Sequence, residues 1–249
     1  MSHIHLPFGV MPIGWSIIGY IIAVLLIFLF SKKIKKEELS KKIPFIGVIS
    51  AMMLITMSIP LGFLPFHINL TVLCGIIIGP YLGFIAVFIV NIMLAFLGHG
   101  GIDAVGINTL IIGFEAIVGY YLFNALRTKI RPTVAVASTT IITLLASTLL
   151  MIGIVVLTNV GWEYALPHKH TEEKTISKDI QTTSISKEDS HENESISQQL
   201  SEINIFYLSG WTAIGIIIML GIALESFITM LIVSFILKVR PDILNNQSV

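Results

Sequence analysis

Long apolar runs separated by short polar ones dominate the chain. Long, predominantly apolar stretches cover about 12–31, 43–66, 81–98, 107–126, 134–159 and 210–237. Roughly 20 apolar residues in helical form cross the ~30 Å hydrocarbon core of a bilayer. Each of these runs is therefore predicted to be a membrane helix. A seventh stretch, Ile68 to Gly79, is also apolar but too short to span comfortably by itself. It is predicted to be tilted or packed inside protein, where backbone groups find partners. Gly79-Pro80 ends it, because proline lacks an amide donor and clashes with the preceding turn. The fold class predicted is all-α: a polytopic membrane protein of about seven transmembrane helices.

Basic residues orient those helices. Six lysines lie in 31–42, Arg127, Lys129 and Arg131 form a second cluster, and Lys238 and Arg240 a third. Lysine and arginine concentrate on the cytoplasmic side of membrane helices. Seven crossings then put the N-terminus outside and the C-terminus in the cytoplasm. The count works only if 68–79 is one of the crossings. With six, His67 and His99 would fall on opposite sides. The first run is not read as a cleavable signal peptide, since Lys32, Lys33, Lys35 and Lys36 follow it and no basic region precedes it.

Composition agrees with the pattern. The chain is 55% hydrophobic and 12% charged, against about 25% charged for a soluble domain. Its formal net charge is zero, and it has no basic stripe for nucleic acid. The single Cys74 excludes a disulfide framework and a Cys-rich metal cluster. The organisation expected is a membrane domain over 1–162, with an N-terminal metal-binding segment and six helices. A polar extracellular loop follows over 163–205, then a last helix and cytoplasmic tail over 206–249. The loop holds nine of the fifteen acidic residues and few apolar ones. It cannot bury enough surface to offset its ordering entropy, so it is expected to be disordered. Gly47 with Ala51, and Gly75 with Gly79, are small residues four apart. That spacing lets helix backbones approach closely, within this chain or against a second membrane protein.

All seven histidines (His3, His5, His67, His99, His168, His170 and His191) fall on the predicted outer side. Imidazole is a frequent ligand for transition metals. The N-terminus adds chelating power. A terminal amine, a deprotonated amide and a nearby imidazole close fused rings on one ion, with the nitrogens nearly coplanar. That geometry suits Ni(II) or Cu(II), and Co(II) less strictly; tetrahedral zinc is disfavoured. If Met1 is removed, the Ser2 amine, the His3 amide and the His3 imidazole supply three nitrogens, with His67 as fourth. If Met1 stays, Met1-Ser2-His3 offers four. His99, beside Gly100-Gly101, is a further candidate. Asn91, Glu115 and Glu225 are the notable polar residues at membrane depth, where a carboxylate is costly and a functional suspect. Glu115 lies about two turns inside its helix and is a candidate outer-shell partner for the site.

Three patches, in order, carry a family resemblance. They are His5-Leu6-Pro7-Phe8-Gly9; Pro65-Phe66-His67 through Cys74-Gly75 to Gly79-Pro80-Tyr81; and His99-Gly100-Gly101-Ile102 with Gly106-Ile107-Asn108. Together they resemble the CbiM/NikM-type substrate-binding subunits of energy-coupling factor transporters for cobalt and nickel. The resemblance implies that Co(II) or Ni(II) is carried as substrate at the outer face. The ligands it implies are the terminal amine, an adjacent amide, an early histidine and His67. The Leu-Pro-Phe-Gly context points to His5 as the early histidine, and the distance from a processed terminus points to His3. His99, Asn108 and Glu115 would stand around the ion. Phe8 occupies the place of the family's acidic residue.

The resemblance further implies a transmembrane coupling subunit, two cytoplasmic ATPases and often a small auxiliary membrane subunit. The loaded subunit would topple within the plasma membrane. This chain would bind no ATP itself, and it lacks a Gly-x-x-x-x-Gly-Lys-Ser/Thr loop. No enzyme is expected: there is no His-Glu-x-x-His and no Gly-x-Ser-x-Gly. A stand-alone metal carrier or channel would want ligands along its path, and a vitamin-binding subunit would leave the histidine-bearing terminus unexplained.

Overall fold

The computed structural model describes residues 12–58, 67–158 and 210–240. The expectation of a disordered loop at 163–205 falls outside the described residues, as do Ser2, His3 and His5. Contacts divide the chain into a unit of Met1–Pro167 with Ile217–Val249, and a second of His168–Ile216. Of the second, only the start of the last helix is described.

Among the described residues all regular structure is helical: α1 (Ile13–Lys33), α2 (Lys36–Ser58), α3 (Thr71–Ile78), α4 (Pro80–Phe96), α5 (Val105–Leu126), α6 (Pro132–Leu157) and α7 (Gly210–Val239), with a 3₁₀ turn at Ile102–Ala104. Four segments are long and apolar enough to cross a membrane: Ile13–Lys33, Ile102–Leu126, Pro132–Leu157 and Gly215–Val239. Lys42–Ser58 and Pro80–Phe96 are shorter apolar helices. One boundary differs from the sequence reading. Lys32 and Lys33 close α1, and Lys36, Lys41 and Lys42 lie in the first turns of α2, which begins at Lys36 and carries Pro44 inside it. Lys and Glu are good helix formers, and a hydropathy window does not register them.

The short apolar stretch is the eight-residue α3, about 12 Å long at 1.5 Å per residue. Every one of its residues is buried. Gly75 explains how: an added Cβ would sit 2.1 Å from the Ala116 carbonyl oxygen, so α3 lies backbone to backbone on α5. Gly79, at φ +95°, caps α3 and turns the chain into α4. Gly47 differs, because an added Cβ there meets nothing within 4 Å. The two small-residue pairs thus part ways. Gly75 packs this chain, and Gly47 does not.

α5 is the central helix, with 67% of its apolar window buried against 17% for α1. Met53 and Met57 from α2, Ile112, Ala116 and Phe123 from α5, Ala135 and Val136 from α6, and Val233 from α7 share one core with α3. Ser226 on α7 donates to the Ala137 carbonyl at 3.1 Å. Basic residues gather where α3 ends. Lys42 donates to the Ile78 carbonyl at 3.3 Å, satisfying a helix C-terminus, and Lys33 sits 5.1 Å over the Tyr81 ring. The opposite end of α3 begins just after His67.

Candidate metal site

His99 is placed by the way α4 stops. Gly98 takes φ +79°, its amide donates to the Ala95 carbonyl, and the His99 amide donates to the Leu94 carbonyl at 2.8 Å. This pair of reversed bonds closes a helix end when glycine supplies the left-handed residue. The imidazole therefore projects from a fixed turn, not from a fraying terminus.

His67 is placed by the turn into α3. Leu70 holds φ +52°, a left-handed conformation rare for a residue with a Cβ, and is 2% exposed. Asn69 and Thr71 flank it, and both are buried. The Thr71 hydroxyl donates to the Asn69 side-chain carbonyl, and the Asn69 amide donates to Glu115 Oε2 at 2.8 Å.

These two turns bring the rings together. His67 and His99 stand edge to face, 5.8 Å between centres and 89° between planes. Two imidazoles on one ion, with metal–nitrogen bonds of about 2.0–2.1 Å as for zinc, place their ring centres roughly 4.5–6.5 Å apart. Nδ1 of His99 is buried without a hydrogen-bond partner among the described residues. No group of three His, Cys, Asp or Glu side chains capable of holding a metal occurs among the described residues. Two imidazoles cannot by themselves fill a four-coordinate shell.

The start of α1 belongs to the same end of the protein. Gly19 and Gly106 allow α1 and α5 to touch: a Cβ on Gly106 would lie 2.4 Å from the Tyr20 amide nitrogen. The Tyr20 hydroxyl donates to the Ile102 carbonyl, three residues after His99. Trp15 packs beside Ala104, Ile107 and Ile111. Of the remaining expected residues, Asn108 is buried near the start of α5 and Glu115 is fully buried farther along it. The Asn91 amide donates to the Thr109 hydroxyl at 3.2 Å, joining α4 to α5. Asn69 and Thr71 were not singled out from the sequence. Their signal is two polar residues in an otherwise apolar stretch.

The whole membrane region matches one family model, CbiM, described as the cobalt uptake substrate-specific transmembrane region, over residues 5–243. The chain belongs to the CbiM family. It is a multi-pass membrane protein and a membrane component of transition-metal uptake, acting with partner subunits rather than as an enzyme. Two solved structures are similar in fold. One, described as a truncated transition metal transporter, shares 19% identity and a TM-score of 0.63, over 94% of this chain and 98% of that one. The other, a transition metal transporter, shares 19% identity and a TM-score of 0.60, over 94% and 93%. None of the curated proteins compared with the chain matches it.

Proposed function

We propose that this chain is the substrate-binding subunit of an ATP-driven, energy-coupling factor importer for Co(II) or Ni(II), capturing the ion on the outer face of the plasma membrane. The observation that carries this is the edge-to-face pair of His67 and His99 at the end from which the N-terminal segment departs, in a chain of a cobalt-uptake family. His67 supplies one imidazole. The terminal amine (of Ser2 if Met1 is removed), an adjacent amide and the imidazole of His3 or His5 complete a near-planar nitrogen set. Six residues, seven Cα–Cα steps, lie between His5 and Pro12. Extended, they reach up to about 25 Å. His99 stands beside the ion, and Asn108 and Glu115 lie behind it. The basic residues at the far end of α3 support the N-out, C-in orientation.

The energy comes from partners in this reading: a transmembrane coupling subunit, two cytoplasmic ATPases and a small auxiliary membrane subunit. Uptake of radioactive cobalt and nickel by cells expressing the chain tests it. Accumulation is expected only when the coupling subunit and ATPases are co-expressed, and is expected to vanish when the ATPases' phosphate-binding lysine is replaced. Uptake by the chain alone, abolished by collapsing the membrane potential, would instead establish a secondary carrier.

A further inference from the structure

We infer that Asn69 and Glu115 form a strut that positions the metal-binding histidine, a role that rests on the metal-site reading above. His67 lies two residues before Asn69 on a segment without helical hydrogen bonds of its own. Such a segment leaves a ligand free to swing unless something else holds it. One such hold is a buried side-chain bridge from Asn69 to Glu115. Asn69 is 1% exposed, Glu115 is fully buried, and the bond between them spans 46 residues of sequence at 2.8 Å. Thr71 fixes the other end of the Asn69 amide by donating to its carbonyl oxygen. That bond also fixes which way the amide faces, with the NH₂ toward the carboxylate.

The bridge ties His67 to α5, and His99 is tied to the same helix. The 3₁₀ turn at Ile102–Ala104 leads from His99 directly into α5. The distance between the two imidazoles is thereby set through one rigid element. Burial of a carboxylate at this depth is costly, so a purely packing role would be served better by an apolar residue of similar size. An ordered ligand loop gives the costly group a use. The strut needs an acceptor at position 115, not a charge.

Substitution separates these requirements. Glu115→Gln keeps an acceptor oxygen and removes the charge; Glu115→Leu removes both; Asn69→Ala removes the donor. Nickel titration of the purified full chain and the ligand-field spectrum of the bound ion are the readouts, with thermal unfolding of the metal-free protein alongside. Outer-shell partners of metal ligands typically contribute 10–100-fold in affinity. Asn69→Ala and Glu115→Leu are expected to weaken nickel binding by at least tenfold and to alter the spectrum. Glu115→Gln is expected to stay within about threefold of wild type with an unchanged spectrum. If Asn69→Ala and Glu115→Leu bind nickel with wild-type affinity and spectrum, the strut is wrong while the site stands. A Glu115→Gln variant as weak as Glu115→Leu replaces the strut with a requirement for charge. His67→Ala in the same series reports on the site itself: unchanged binding there overturns both readings.

Discussion

Replacing His67 with alanine is expected to strip Co(II) and Ni(II) from the purified protein. The other donors come from the N-terminal segment, which alone offers at most an amine, amides and one or two imidazoles. Losing an imidazole that contacts the ion should exceed the roughly 10–100-fold penalty for losing an outer-shell partner. Metal analysis after desalting should therefore find the His67→Ala variant empty where wild type holds one ion per chain. His99→Ala is expected to retain metal with affinity lowered about tenfold, because its ring buttresses His67 at 5.8 Å and is not required to complete a four-nitrogen set. The fold should survive both changes. His67 and His99 are partly exposed and neither belongs to the apolar core.

Gly75→Ala is expected to be the most damaging small substitution in the membrane region. The added Cβ would lie 2.1 Å from the Ala116 carbonyl oxygen and 2.8 Å from Ala116 Cα. Backbone atoms cannot rotate away, so α3 and α5 must separate. Overpacking costs about 1–3 kcal/mol where side chains can adjust, and this contact belongs at or above the upper end. The change also tilts the turn that holds His67. Thermal unfolding in detergent should show a large loss of stability and of metal retention together. Gly47→Ala is the matched control. Nothing lies within 4 Å of the added carbon, and alanine is favoured over glycine in a helix. Its stability should be unchanged or slightly raised.

The helices were legible in the sequence because the chain obeys one strong constraint. Apolar runs of membrane length have few alternatives to helix, and the seven expected segments correspond to α1 through α7. The shortness of 68–79 also carried information. It pointed to a piece held inside protein, and α3 is buried at every residue. The start of α2 was missed, since lysine and glutamate signal helix through propensity and not through hydropathy. Counting crossings gave only the expectation that His67 and His99 share a side. Their 5.8 Å separation did not follow from it. It depends on a glycine-capped helix end at Gly98, a left-handed Leu70 and a bond between Asn69 and Glu115. Of these, only the glycine has a sequence signature. A left-handed leucine has none, because tertiary contacts impose it against its own preference. The bond between Asn69 and Glu115 joins residues 46 apart, and no local pattern links them. Gly75 could be flagged as a close-approach residue, but its partner Ala116 could not.

X-ray absorption at the nickel edge, on the full chain loaded with one equivalent of nickel, addresses the chelate directly. A near-planar shell of four nitrogens with outer scattering from two imidazole rings is the predicted spectrum, and desalted His67→Ala is expected to give no nickel signal above background. A six-coordinate shell dominated by oxygen, unchanged by His67→Ala, would contradict it.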